Sequence, residues 1–314
     1  MTEIVSLGSI NLDRVHRVTE ETLTELRREF DRFPESGDTV VVDEIPSAFA
    51  DLATTVTHGG KGANQAVAAA AAEADVTLLG KVGSEHTDHD VLDRLRRSGV
   101  RVDSVGVAST QTGTAHVFVT EDGENRIVVH AGANAAVDGA YIADQYETVR
   151  ASDILLLQNE IPVDPVCELL QRLASAASRP TVIVDPAPVA GAERLLDCPV
   201  VDIVTPNERE YSQVGSSLEE FDGTVVRTRG GQPVHIDDGT GFRVAPPDRQ
   251  PIDTTGAGDV FAGFLGGRLA AGDSLREAVQ AATVAGTLST QAEGARGAVP
   301  SYAAVETWRT TDRH

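Results

Sequence analysis

SDILLLQNEIPVDPVCELLQRLASAASRPTVIVD, residues 152–185, sets two apolar runs on either side of a helical pattern. The run at 152–157 (SDILLL) is short and unbroken, as a strand buried on both faces should be. Residues 164–177 read as a helix, and TVIVD at 181–185 reads as a second buried strand. VDIV at 201–204 is a third, followed by a helix near 206–214. This alternation predicts a mostly parallel sheet with helices on both faces, an α/β/α sandwich. Further on, 256–271 and 274–292 read as helices rich in Ala and Leu.

The first half of the chain is organised differently. Residues 3–8 form a strand entering a glycine turn, but 38–58 and 100–130 carry β-like pieces with no helices between them. Segment 114–121 pairs with 125–130 across EDGEN as a hairpin. A small β element laid against the main sheet is expected, with segments near 14–57 and 100–130. Residues 19–35 (TEETLTELRREFDRFPE) look like an inserted amphipathic helix with a Thr cap, read most simply as a solvated surface feature. No repeat and no low-complexity linker interrupts the chain, so 1–314 is expected to be one domain with this appendage.

Composition narrows the function classes. No apolar run approaches the roughly 18–20 residues of a membrane span. MTEIVSLGSI lacks the basic start and apolar core of a signal peptide, so a cytoplasmic location is expected. Cys167 and Cys198 have no metal-ligand spacing and read as buried thiols. The net charge is −22, spread along the chain, and Lys61 and Lys81 are the only lysines. A distributed acidic surface stays soluble in high salt, where screening weakens self-repulsion, so a halophilic source is expected, with an ordinary acidic cytosolic protein as the alternative. The same charge argues against nucleic acid as a partner.

Four motifs carry chemistry. DTTGAGD at 253–259 runs into a helix, and a glycine turn at a helix start offers several N–H groups to an anion. Asp259 there can take a proton from a hydroxyl that attacks phosphorus, while the loop N–H groups stabilise the transferred phosphoryl group. The plainer alternative is a helix start with an Asp cap. HGGKGANQAVAAAAA at 58–72 leads glycines, Lys61 and the amides of Asn64 and Gln65 into an alanine-rich helix. Small residues permit close approach of a ligand, and amides suit a polyol. The GxxxxGK[ST] spacing of a Walker A loop is absent. GSINLD at 8–13 follows the first strand, where open α/β sheets bind ligands, and Asp13 can grip sugar hydroxyls or be only a turn residue. In TPNERE at 205–210, Asn207 and Glu210 have capping-box spacing.

Together, in this order, the blocks GSINLD, GGKGANQAVAAA, TGTAHVFVTEDGENRIVVHAGAN, LLLQNEIP, TPNERE and DTTGAGDVFAGFL resemble the ribokinase branch of the PfkB carbohydrate kinases from about residue 3 to 300. The resemblance implies an α/β/α sandwich with a small β-sheet lid that also serves homodimerisation. It implies ATP as donor, Mg2+, and activation by a monovalent cation such as K+. Asp259 becomes the catalytic base, touching the sugar, with Gly256, Ala257 and Gly258 as the anion hole. Asp13, Gly60, Lys61, Asn64 and Glu160 would contact the sugar. Asn207, Thr228, Gly230, Gly231 and Gly258 would contact the nucleotide, and Glu210 would help hold Mg2+ through water. Asp253 and Thr255 fall where the monovalent ion binds, with further ligands from 289–298, Gly294 matching best there.

Departures from the pattern concern mainly the substrate. Segment 14–37 is longer than usual and carries the extra helix, the turn after it reads ESGDTV, and VGSEHTDHD follows the second block. His130 stands before AGAN where an apolar residue is more usual. Arg14, His16 and Arg17 flank Asp13, and a basic cluster there suits a sugar that already bears phosphate. Ribose and ribose 1-phosphate, phosphorylated at O5, are the two acceptors expected; in the alternative, these side chains pair with Glu20, Glu21 or other lid carboxylates. Another small sugar, a sugar acid or a nucleoside stays open as acceptor. A sensor that binds nucleotide or sugar without turnover is the non-enzyme alternative. A dinucleotide-dependent oxidoreductase is disfavoured because no GxGxxG follows the first strand.

Overall fold

Ile4, Val5 and Leu7 are all buried, although alternate side chains on a strand face opposite ways. Their strand, β1 (Glu3–Leu7), therefore lies inside a sheet covered on both faces. In the computed structural model, which describes all residues except 1, 37–38, 50–51, 123, 220 and 312–314, β1 sits in a nine-stranded sheet. The other members are β5 (Asp75–Leu79), β7 (Val100–Arg101), β11 (Ile154–Gln158), β12 (Thr181–Asp185), β13 (Val201–Val204), β14 (Thr224–Arg229), β15 (Gln232–Asp237) and β16 (Phe242–Val244). Their order is β16-β15-β14-β13-β12-β11-β1-β5-β7, parallel from β14 to β7, with β15 and β16 antiparallel at one edge.

Helices cover both faces. Ile4, Ile154 and Leu156 pack under α2 (Lys61–Ala71), α3 (Val91–Arg97), α9 (Ala257–Ala270), α10 (Leu275–Ser289) and α11 (Tyr302–Thr311). Val5, Leu155 and Leu157 pack under α4 (Gly139–Asp144), α5 (Tyr146–Ala151), α6 (Val163–Ala174), α7 (Glu193–Leu196) and α8 (Glu208–Glu219). The apolar runs thus form the predicted three-layer α/β/α sandwich. Both thiols are buried and free, and each donates to the carbonyl of Arg194 at 3.4 Å. Among the described residues no helix is long and apolar enough to cross a membrane.

A second sheet holds β2 (Asn11–Arg17), β3 (Thr39–Val42), β4 (Thr55–Gly59), β9 (Gly113–Val119) and β10 (Asn125–His130), in the order β3-β10-β9-β2-β4. The expected hairpin is β9–β10, antiparallel with Val117 opposite Ile127; residue 123 of EDGEN lies outside the described residues. The early part of segment 100–130 does not join this sheet. β7 edges the main sheet, and β8 (Gly106–Ala108) pairs with β6 (Lys81–Gly83). The turn ESGDTV includes residues 37 and 38, also outside the described residues.

The inserted helix α1 (Glu20–Glu29) is capped by Thr19, whose side chain accepts from Thr22 N–H at 3.2 Å. It is not merely a solvated feature. Leu23 and Leu26 are buried with Phe33, Phe49, Phe118 and Val128 in a separate apolar cluster. The helix presents one apolar stripe, and the small sheet supplies the surface that covers it. Strand alternation assigns the faces: Phe118, Val128, Arg14, His16, His116 and His130 point to one side, and Asn11, Asp13, Arg17, Val41 and Val129 to the other.

Candidate active site

The carboxyl ends of β1, β11, β12 and β13 converge on one cleft, the place where open α/β sheets bind ligands. It measures about 840 Å³. Ser9, Asn11, Glu160 and Asn207 line it from the main body, and Thr39, Val41 and Val129 from the small sheet. A smaller cavity of about 150 Å³ opens beside it, lined by Asp185, Thr228, Gly256, Gly258 and Asp259. Lys61, Asn207 and Glu210 border both.

Two helices build the join. Gly60 precedes α2 at φ +89°, and a Cβ there would stand 2.7 Å from Ser9 O and Asn11 N, so only glycine lets the loop after β1 approach. Gly256 starts α9 at φ +76°, with Ala295 2.8 Å from where its Cβ would be. Small residues then bring α2 against α9. At that contact Lys61 Nζ donates to Asp185 Oδ2 at 3.0 Å and Asp259 Oδ1 at 3.4 Å. Asn64 Nδ2 donates to Asp259 Oδ2 at 2.9 Å, and Gln65 Nε2 donates to Asp185 at 3.2 Å and Asp259 at 3.4 Å. Gln158 Nε2 in turn donates to Gln65 Oε1 at 2.6 Å.

Electrostatics follow from crowding acids out of water. Burial would lower the Lys61 ammonium, but Asp185, Asp259 and Glu160 hold it well above its usual value, so it stays charged. Glu160 is pushed up by burial; its carboxylate accepts from Ser9 Oγ and from Lys61 N–H at 3.2 Å. Asp13 is raised to about 7, by burial first and then by Glu160 and Asp259, against the opposing pull of Arg296. Asp185 and Glu210 are both raised by burial, and each feels neighbouring carboxylates.

Most residues singled out from the sequence meet here. Asp13, Gly60, Lys61, Asn64, Glu160 and Asp259 form one connected set, with Ala257 opening α9 beside Gly256. Asn207 and Glu210 make a reciprocal capping box on α8, at 2.8 and 2.9 Å, while their side chains still border the cavities. Thr228 bridges to Asn207, and Gly230 and Gly231 have open space where a Cβ would go. Asp253 accepts from Thr255 N–H at 2.9 Å and Gly294 N–H at 2.8 Å, which bring its carboxyl below the usual value despite burial.

Arg14 requires a correction: it faces away from Asp13, and its charge is felt by His16 and His116 instead. His130 points to that same far side, while Val129 lines the cleft. Arg17 shares the Asp13 face but pairs with Glu293 at 3.2 Å, not with Glu20 or Glu21, and both side chains are more than 70% exposed. The presumed phosphate cluster is thereby dispersed.

Residues given no role from the sequence do enter the site. Asp185 ends a buried strand at the ligand-binding edge, a signal the sequence did offer. Asn134 joins the small sheet to the body, accepting from Ile10 N–H at 2.9 Å and donating to Asn11 Oδ1 at 2.7 Å. Arg296 lies against Asn64 and Gly59, and no local pattern announces it.

The pfkB family carbohydrate kinase model matches residues 46–301. The chain belongs to the pfkB family. It is 34% identical over 317 residues to ribokinase of Bacillus subtilis, covering 98% of this chain and 99% of that one. It is 31% identical over 313 residues to an ATP-dependent ribose-1-phosphate kinase of Halopiger xanaduensis, covering 95% of each. The crystal structure of ribokinase from Thermotoga maritima superposes with a TM-score of 0.81 at 28% identity, over 99% of this chain and 100% of that one. As a pfkB member of ribokinase type, the chain is an ATP-dependent sugar kinase.

Proposed function

We propose that the chain moves the γ-phosphoryl group of ATP to the 5-hydroxyl of ribose or of ribose 1-phosphate, with Asp259 as base. The observation that carries this is the position of Asp259: buried in the first turn of α9, bordering a cavity lined by Gly256 and Gly258, and hydrogen-bonded to Lys61 and Asn64. A bond forms between the sugar oxygen and the γ-phosphorus, the bond to the β–γ bridging oxygen breaks, and the hydroxyl proton passes to Asp259. The N–H groups of Gly256, Ala257 and Gly258 would stabilise the charge that develops, that of Ala257 turning from the Thr254 carbonyl it meets at 3.2 Å. Asp13, Gly60, Lys61, Asn64 and Glu160 hold the sugar; Asn207, Thr228, Gly230 and Gly231 hold the nucleotide. In this reading the small sheet acts as a lid over the sugar.

Among the described residues no group of three His, Cys, Asp or Glu side chains is arranged to hold a metal. The carboxyls of Glu210 and Asp185, raised by burial first and then by neighbouring carboxylates, stand near one another at the cavity, where Mg2+ held by Glu210 through water would fit. That ion would neutralise phosphate oxygens. The convergence of Asp253, Thr255 and Gly294 fits a K+ site completed by backbone carbonyls of 289–298. The −22 charge and two lysines support a cytoplasm of high salt as the working medium. A homodimer made through the small sheet would use its edge strands, where Val41 is 53% exposed, since α1 covers the far face.

Ribose 1-phosphate stays beside ribose because one relative bears that name and Arg296 brings a cation to the sugar end. The test is a panel of pentoses, hexoses, sugar acids, nucleosides and phosphosugars with ATP in concentrated KCl, with Asp259→Asn as control. Turnover on ribose or ribose 1-phosphate that falls ~10²–10⁴-fold in the variant supports the proposal. Absence of turnover on every acceptor would overturn it in favour of a sensor.

A further inference from the structure

We infer that Arg296 is a positioning residue for the sugar end of the site, fixing the amide of Asn64 and setting a positive charge against Asp13. The inference rests on the sugar-kinase reading above but concerns a residue outside its motifs. Arg296 Nε donates to Asn64 Oδ1 at 2.7 Å, and Nη2 donates to Gly59 O at 2.8 Å. An amide has a donor on one side and an acceptor on the other. With Oδ1 occupied by the guanidinium, Nδ2 must turn toward Asp259, which it meets at 2.9 Å. Without Arg296 the amide can flip and set oxygen against carboxylate oxygen. One fork therefore decides how Asn64 meets both the sugar and the base.

The second anchor bears on Asp13. Its carboxyl lies flat on Gly59, where a Cβ would come within 2.0 Å of Oδ2, and Oδ1 is buried with no hydrogen-bond partner among the described residues. Arg296 thus holds the backbone of Gly59, against which this acid rests. The other charged groups facing Asp13 are Glu160 after β11 and Asp259 on α9, and both oppose its ionisation. Arg296 supplies the opposing pull that keeps the carboxyl near 7 instead of higher. Its own loop is anchored where Gly294 N–H donates to Asp253 at 2.8 Å, and the guanidinium itself is held by its bonds to Asn64 and Gly59.

The experiment compares Arg296→Gln and Arg296→Lys with wild type. It measures kcat, KM for sugar and for ATP, the pH dependence of the sugar KM, and ribose binding by calorimetry without ATP. Arg296→Gln should raise the sugar KM and Kd at least about 10-fold, since it takes the charge from both the Asn64 and the Gly59 bonds. It should lower kcat, leave the ATP KM within about 2-fold, and move the pH midpoint of sugar binding upward. Arg296→Lys should restore the midpoint, because the charge returns, but not kcat, because one ammonium cannot replace the planar fork. A folded Arg296→Gln with unchanged sugar affinity and midpoint would overturn the inference. So would equal losses for sugar and ATP, which would mark general damage. Wild-type protein that binds ribose but turns over nothing would defeat the kinase reading alone, since the binding comparison still decides the role of Arg296.

Discussion

Gly263→Ala and Gly215→Ala are the same chemical change in two helices, and the structure predicts opposite results. A methyl on Gly263 would stand 2.5 Å from Gln65 O and Ala68 Cβ and 2.9 Å from Ala69 N, all on α2. Two of these atoms are backbone, so the helices must part by something near an ångström in an interior with little slack. Overpacking of this kind costs about 1–3 kcal/mol. Replacing a helical glycine by alanine returns about 1 kcal/mol, so the net destabilisation is roughly 0–2 kcal/mol. At Gly215 nothing lies within 4 Å, and only the gain of about 0.5–1 kcal/mol remains. Activity should follow the first effect. Lys61, Asn64 and Gln65 ride on α2 and reach Asp259 on α9 at 2.9–3.4 Å, so parting the helices loosens all three contacts. A shift of about 1 Å at reacting groups can cost ~10²-fold, and kcat should fall at least 10-fold. Denaturant midpoints at constant m, read in concentrated KCl, give the stabilities, and steady-state kinetics give kcat. A Gly263→Ala protein as stable as Gly215→Ala, with wild-type kcat, would refute the claim that this contact sets the site.

Sugar KM should fall as pH rises through about 7, because the Asp13 carboxyl must ionise to accept hydroxyl bonds; Asp13→Asn should flatten that profile while raising KM throughout. Stability should decline in acid through His116, which burial and the neighbouring His16 and Arg14 bring down to about 4. The folded form takes its proton later than the unfolded one, so the contribution is whole above about 6.5 and lost as pH falls to about 4. It amounts to at most roughly 3 kcal/mol, and His116→Phe should remove that slope from urea titrations. Leu23→Ala should cost about 2–5 kcal/mol, since the side chain is fully buried beneath α1; a change under half a kcal/mol would return α1 to the status of surface ornament.

The parts of the site legible in the sequence are those made by neighbours along the chain. GGKGAN and DTTGAGD declare themselves because a glycine turn and its following helix fall within a few residues, and the N–H array they expose is local geometry. The buried strands of 152–204 declare themselves because a parallel strand covered on both faces must be apolar throughout. Arg14 was misjudged for the converse reason: it is adjacent to Asp13 in sequence, but on a strand adjacency means opposite faces. The solvated reading of α1 underrated its apolar stripe, which had no visible partner until the small sheet closed beneath it. Asp185, Asn134 and Arg296 reach the site only across long sequence separations. By itself, then, the sequence determined the sandwich and the glycine turns, because propensity and burial pattern are written into contiguous residues. Only the tertiary structure decided which face of β2 turns to the cleft and which cation stands against Asp13. Those depend on strand register and on how closely α2 and α9 pack, which no single segment encodes.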